Sequence, residues 1–545
     1  MITDSTDSSA ATTLPRFNTR MTDAEGLMWR LEKDPYLAST FGNVTILDRP
    51  INFALFRERL ERATIAVPRL RQKVRPSPAA LGAPRWIDDA EFNIDYHVRR
   101  VSLPEPGSLR QLLDLATLIV NDPFERTRPL WQFTVVDGLS GGRSALIVKL
   151  HHTVADGEGS IMLSLQFIDL VRNAPLPPPL PTPPQPEPSI TDDDDPADLL
   201  RSSVSDALRV PIGLLKQVRD VLADPTRLPS LATQANDSLR GLVAQMGEVD
   251  AARSPLWKKR SLQRRLETVR VPYRELLEAS RALGGKLNTA FVTAVADGAG
   301  AYHRELGAPV ESLRTSIAVS TRTESSGGNA FSLAKLLVPT SDMPITERFA
   351  AIHEALNQAR DGAKSASLDT LASLSTTLPT SVLTRIARTQ SQSIDFATSN
   401  VRSGGVPLYI AGGLILENYP VGPLGGVAFN ATLLSYNHSL DIGIHVDTEA
   451  VEQPELLRDH IERALNRLIH AAAPKVQAAN DAASKRAAGE TTSRPKWRAR
   501  LFAEQLTHVQ EQVRHFRRGH QLTLTNLRER LVDDFDRLGK DDEIV

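Results

Sequence analysis

His151-His152-Thr153-Val154-Ala155-Asp156-Gly157 is the stretch that decides how this chain is read. It follows Ala145-Leu146-Ile147-Val148-Lys149-Leu150, a short and mostly apolar run of the kind that forms a buried strand. Neighbouring residues on an extended chain point to opposite faces, so only one of the two imidazoles can face a given cavity. A neutral imidazole takes up a proton near pH 7 without a large pKa shift, which makes one of these rings a candidate general base. Asp156-Gly157 then turns the chain, and the spacing of Ile161, Leu165 and Ile168 predicts a helix after the turn. The competing reading is a core or metal-binding pair. Adjacent histidines on one strand diverge, and neither an HExxH pattern nor a cysteine accompanies them, so no metal is expected.

Composition narrows the classes. At 545 residues the chain is too long for one ordinary core, so two domains are expected. With 41% hydrophobic and 24% charged residues it reads as a soluble globular protein. A formal charge of −1 gives no reason to expect nucleic acid. Cysteine is absent, which rules out disulfides, thiolate metal sites and a covalent cysteine mechanism. Met1 to Arg16 lacks an apolar core, so it is not read as a signal peptide. No run of about 18 apolar residues predicts a membrane span. The expectation is a cytoplasmic protein, reaching any lipid from a membrane or droplet surface.

Residues 1–19 are read as a disordered start and 20–172 as a first α/β unit holding the histidines. Within it Phe41–Leu47, Asn93–Val101 and Trp131–Val136 are expected strands, and Phe53–Val67 a helix capped by Asn52. Proline then dominates, and Asp192–Asp195 adds an acidic run, so 173–198 is an extended tether rather than a ligand for a proline-binding module. Leu200, Val204, Leu208, Leu215, Val218 and Leu222 give 199–260 a helical character. A second α/β unit spans 261–472. Its expected strands are Leu266–Val271 and Ser316–Val319. Asn288–Leu306 is a helix capped by Asn288, and Glu455–Ile469 is the closing helix. Phe429–Tyr436 and Leu440–Val446 form a hairpin around Asn437-His438-Ser439. The tail 473–545 carries two amphipathic patterns, one through Trp497, Leu501, Val509, Val513 and Phe516, the other from Leu524 to Leu538. These helices either dock on a protein surface or lie on a membrane.

Four further elements stand in order around the histidines. Met21-Thr22-Asp23-Ala24 opens the first unit. Asp122-Pro123-Phe124 with Arg128-Pro129-Leu130-Trp131 precedes the motif strand, and Ser399-Asn400-Val401 and Tyr419-Pro420-Val421-Gly422-Pro423-Leu424 lie in the second unit. Over about residues 20–472 this pattern resembles the bacterial wax ester synthase/diacylglycerol acyltransferase family, within the HHxxxDG acyltransferases. The chain departs from that family at Pro35-Tyr36-Leu37-Ala38-Ser39, at Asn288-Thr289 where an Asn-Asp pair is usual, and at Arg402 where proline is usual. The tail after 472 has no counterpart.

The resemblance implies two chloramphenicol-acetyltransferase-like subdomains with mixed sheets and an active-site tunnel between them. It implies His152 as base, His151 as its structural neighbour, and Asp156 with Gly157 holding the turn. Asn288 and Asn400 would approach substrate from the second unit. Pro129 and Trp131 would shape the pocket wall, with a core role for Trp131 equally open. The implied chemistry is acyl transfer from long-chain acyl-CoA, a substrate and not a cofactor, to diacylglycerol or a fatty alcohol. No GxSxG elbow marks a serine acylhydrolase. The alternatives are a condensation enzyme of peptide synthesis, a polyketide-associated acyltransferase, and a non-catalytic lipid-droplet binding protein.

Overall fold

The computed structural model describes residues 19–76, 83–154, 163–176, 253–320, 331–362, 380–403 and 405–489. Asp156 and Gly157, the greater part of the proline-rich tether, the pattern at 200–222 and the tail from 490 on lie outside the described residues.

The first half runs α1 (Asp23–Leu31), β1 (Thr40–Leu47), α2 (Phe53–Ala66), β2 (Gln72–Arg75) and β3 (Arg85–Asp88). It continues with β4 (Val98–Ser102), α3 (Leu109–Asn121), β5 (Trp131–Leu139), β6 (Arg143–His151) and the two-residue β7 (Ile168–Asp169). The second half runs β8 (Arg264–Pro272), α4 (Tyr273–Ala282), α5 (Leu287–Glu305), β9 (Ser312–Ser320), β10 (Phe331–Pro339) and α6 (Ile345–Gly362). There follow α7 (Thr380–Gln392), β11 (Phe396–Arg402), β12 (Tyr409–Ile410), β13 (Gly413–Val421), β14 (Phe429–Tyr436), β15 (Ser439–Asp447) and α8 (Pro454–Gly489).

These strands build two mixed sheets and a separate two-stranded pair, β2 with β3. One mixed sheet has the order β4-β5-β6-β1-β13-β12-β7, the other β10-β9-β11-β14-β15-β8. β12 and β13 belong to the second half by sequence, yet they extend the first sheet, with β13 antiparallel to β1. That exchange depends on close backbone approach. A Cβ on Gly443 of β15 would come within 1.8 Å of the Pro420 carbonyl oxygen of β13, so only glycine lets the two sheets cross there. Thr45 donates to Asn418 Oδ1 at 2.9 Å, and Asn418 N donates to Asp441 Oδ2 at 2.7 Å, which ties both sheets at the same crossing.

Local sequence explains several of these elements. Thr22 and Glu25 form a reciprocal capping box on α1, and Asn52 caps α2 by accepting from Leu55 N at 3.1 Å. The hairpin turns through Asn437 and His438, both with positive φ, into a second strand that begins at Ser439. In the second half α5 is buried almost along its whole length. A Cβ on Gly298 would meet Ile461 of α8, so glycine sets the close packing of those helices.

Four expectations need correction. Asn93 does not begin a strand: its Oδ1 accepts from Asp95 N at 2.9 Å, which turns Ile94–Tyr96 into a 3₁₀ turn ahead of β4. Residues 163–167 are helical, but Ile168 is extended, because Asp169 is drawn into a buried ion pair with Arg59 of α2. Asn288 is not the cap of α5, since the helix starts after Lys286 with no side-chain cap. The closing helix α8 continues past 472 to Gly489, with Pro474 inside it.

Candidate active site

β6 is an inner strand, paired antiparallel to β5 on one side and β1 on the other, and Ala145, Leu146 and Ile147 are buried. Its last residue, His151, pairs with Thr40 and donates its backbone N–H to the Leu130 carbonyl at 3.1 Å. One residue on, His152 donates its backbone N–H to the Ser39 carbonyl at 3.3 Å. The Pro-Leu pair before β5 and the loop before β1 therefore fix the backbone of both histidines.

The two rings have different surroundings. His151 is fully buried. Its Nδ1 accepts from Thr153 N at 3.2 Å and lies 2.7 Å from Thr153 Oγ1, which leaves the ring proton on Nε2. Nε2 lies 3.3 Å from Glu32 Oε2 without the alignment of a straight hydrogen bond, so the contact is one of charge with dipole. Glu32 also accepts from Ser39 N and, at 3.1 Å, from Thr40 Oγ1. Burial would raise its carboxyl pKa, but His151 and these donors outweigh burial and hold it below the usual value.

His152 is partly exposed and its ring packs on Phe41, with centroids 4.5 Å apart. Burial, then the neighbouring His151, push its pKa down to about 4, against a smaller upward pull from Glu32. The ring is consequently neutral at pH 7, with a lone pair free of a proton.

Two residues upstream on the His151 face, Lys149 is buried. Its ammonium donates to the Asp122 carbonyl and lies 4.2 Å from the centre of the Phe124 ring. Burial lowers its pKa to about 8. The Asp122-Pro123-Phe124 element thus acts as a socket for the motif strand. Pro129 is buried beside Leu130, and Trp131 takes its core role: its indole is 1% exposed, donates Nε1–H to Leu70 O at 2.8 Å and stacks on His97 at 4.4 Å.

From the second half, Asn288 on α5 and Asn400 on β11 meet each other, Asn400 Nδ2 donating to Asn288 Oδ1 at 3.4 Å. The adjacent Thr289 contacts His353 of α6 through Oγ1 and Nδ1 at 3.2 Å. Among the described residues no cluster of three or more His, Asp or Glu could hold a metal ion. No described helix is long and apolar enough to cross a membrane.

Glu32 is the site residue that the sequence did not reveal. Its place at the C-cap of α1, where the helix dipole disfavours a carboxylate, is a local hint, but it does not say which residue Glu32 meets.

A histidine pair at the end of an inner strand, in two mixed sheets of which the first takes β12 and β13 from the second half, matches the chloramphenicol-acetyltransferase-like fold. Two solved structures share it. The wax ester synthase/diacylglycerol acyltransferase from Marinobacter aquaeolei VT8 superposes with a TM-score of 0.58 at 19% identity, over 84% of this chain and 100% of that one. The first condensation domain of the calcium-dependent antibiotic synthetase gives 0.51 at 15%, over 84% and 97%. The models for the wax ester synthase/diacylglycerol acyltransferase catalytic domain and for the C-terminal domain match residues 21–291 and 327–469. A putative diacylglycerol O-acyltransferase of Mycobacterium tuberculosis strain H37Rv is 33% identical over 477 residues, 85% of this chain and 94% of that protein. A probable diacylglycerol O-acyltransferase of the same strain is 26% identical over 472 residues, 82% and 94%. The chain belongs to the wax ester synthase/diacylglycerol acyltransferase family, and it is an acyltransferase.

Proposed function

We propose that this enzyme transfers a long-chain acyl group from acyl-CoA to a lipid hydroxyl, with His152 as general base. The product is triacylglycerol from diacylglycerol, wax ester from a fatty alcohol, or both. The observation that carries this reading is the pair of unlike imidazoles: His151 locked by Thr153 and Glu32, His152 neutral and partly exposed against Phe41. In the reaction the hydroxyl oxygen bonds to the thioester carbon while a ring nitrogen of His152 takes the hydroxyl proton. The C–S bond then breaks, and the departing CoA thiolate takes that proton from the imidazolium. A base with so low a pKa accepts a proton only as the oxygen becomes bonded and acidic, which couples proton transfer to attack. Thiolate leaves readily, so no acyl-enzyme is needed.

In this mechanism Asp156 and Gly157 hold the turn after the histidines, and Asn288 with Asn400 positions substrate. No cofactor enters. The enzyme works from the cytoplasm at a membrane or lipid-droplet surface, where its acceptor resides. Names of the mycobacterial relatives support a diacylglycerol acceptor, and that of the Marinobacter enzyme adds wax ester. The test is purified protein with palmitoyl-CoA and a panel of diacylglycerol, hexadecanol and an aminoacyl thioester, with free CoA and products followed by mass spectrometry. Ester with stoichiometric CoA supports the proposal. Amide formation would move the enzyme to peptide condensation, and no CoA release would leave a binding protein.

A further inference from the structure

The second sheet forks at its middle. β9 and β11 run parallel, but they pair over three residues only, Phe396 to Thr398 against Thr315 to Ile317. Beyond them β9 continues to Ser320 paired with β10, and β11 continues to Arg402 paired with β14. Alternate residues of a parallel strand turn both backbone groups toward the same neighbour. Ser403 N donates to Ser435 O at 3.1 Å, and Asp395 O accepts from Ala428 N at 3.0 Å, so the odd-numbered positions face β14. The N–H and C=O of Asn400 therefore face the gap toward β9, and among the described residues neither has a partner there. The gap is open, since Asn400 and Val401 are exposed. Thr398 shares the face of Asn400, two residues along the strand. It is 5% exposed, and its Oγ1 has no hydrogen-bond partner among the described residues, a cost that a bound polar group would remove.

Resting on the proposed acyl-CoA reaction, we infer that the gap between β9 and β11 binds the pantetheine arm of CoA as an added strand, paired to the backbone of Asn400. Unpaired backbone at a sheet edge offers a ligand the bonds that a neighbouring strand would make. Asn400 presents one donor and one acceptor, so its ligand must bring both groups along an extended chain. Of the parts of the two substrates, the pantetheine arm does this through its secondary amides. A fatty acyl chain has neither group. The esters of diacylglycerol accept but do not donate, and its hydroxyl is the reacting group. The nucleotide end of CoA carries its polar groups on rings and phosphates. Bound in the gap, the arm lies next to Thr398 and supplies the partner that its Oγ1 lacks.

The test first alters the ligand and leaves the protein intact. S-octyl-pantetheine, an unreactive thioether, is compared by calorimetry with analogues in which oxygen replaces the N–H of each amide in turn. Loss of one backbone hydrogen bond is expected to weaken binding by about tenfold for at least one analogue. Asn400→Ala keeps the N–H and should keep that preference. Asn400→Pro puts its ring where the N–H faced the gap and breaks no bond to β14. It should bind the amide probe as weakly as the analogue, with circular dichroism checking its fold. A pantetheine diazirine read on wild-type protein decides the matter independently of that variant, with labelling expected in peptides of β9 or β11. Equal binding of amide and ester probes by the wild type, or label confined to other peptides, overturns the inference. So does labelling of β11 from the end of an acyl chain but not from pantetheine, which would give the gap to the acyl group. Binding and labelling are measured without an acceptor. An enzyme that forms ester but is labelled elsewhere thus loses only this inference, and one labelled here that forms no ester loses the acyl-transfer reading.

Discussion

The two sides of β6 at its C-terminal end carry the same side chain in opposite circumstances. His151 is enclosed, its Nδ1 committed to Thr153 and its Nε2 turned toward the half-buried Glu32 carboxylate. His152, one residue later, rests on Phe41 and keeps part of its surface open. Strand alternation points the two rings to opposite sides: His151 lies on the side that meets α3 and Glu32, and His152 meets Phe41 on the side where Leu146 and Leu150 pack against α2 and β5. A tandem histidine thus separates two requirements that conflict in a single residue, a rigid anchor and an accessible base.

The largest effect that bears on this contrast is expected from His152→Ala, which should lower kcat by at least about a hundredfold with unchanged circular dichroism and melting temperature. His151→Ala is expected to lower kcat by about tenfold, and to cost on the order of 1–3 kcal/mol of stability, because it strands the Glu32 carboxylate in the interior. Thermal unfolding and CoA release together separate these two patterns. If the two variants exchange behaviour, the anchor and the base have been assigned to the wrong rings. Glu32→Gln retains a carbonyl acceptor for Ser39 N or Thr40 Oγ1 but loses the charge, so a reduction of about threefold in kcat is expected, against a clearly larger one for Glu32→Ala.

The smallest effect on rate is expected at His445, which sharpens the contrast by sharing the low pKa of His152 without its exposure. His445 Nδ1 donates to Gly422 O at 2.8 Å, and its Nε2 accepts from Asn121 Nδ2 at 3.2 Å, joining β15 to α3. Burial pushes its pKa down to about 4. A folded-state value below the unfolded one means that stability is fully present above about pH 6.5 and is lost as pH falls toward 4, by roughly 3 kcal/mol. His445→Gln keeps a donor and an acceptor but does not titrate. Its melting temperature should fall less between pH 7 and 4.5 than that of the wild type, with kcat at pH 7 little changed.

Sequence revealed what short range determines. The motif strand, the Asn52 cap, the 429–446 hairpin and the order of the family elements are set within a few residues, and each stands where the pattern placed it. Contacts across the chain were invisible. β13 completes the first sheet through partners such as Thr45 and Asn418, 373 positions apart, and nothing in an apolar run says which sheet it will join. Asn288 has the composition of a cap, but Asn400, 112 positions away, takes its side chain. Ile168 fits a helical period, yet the buried Arg59–Asp169 pair pulls it into an extended strand. Glu32 reads locally as a solvated charge at a helix end, and its function appears only when β6 is folded beside it.

The pH dependence of kcat/KM for palmitoyl-CoA tests the assignment of His152 most directly, because that ratio reports ionisation of the free enzyme. With a base whose pKa is pushed down to about 4, the profile should stay level from neutral pH to about 5 and fall below that on a single protonation. The residual activity of His152→Ala should lack the step. A profile in His152→Ala with the same acid limb as the wild type would show that another group takes the proton, and the account of the two histidines would fail.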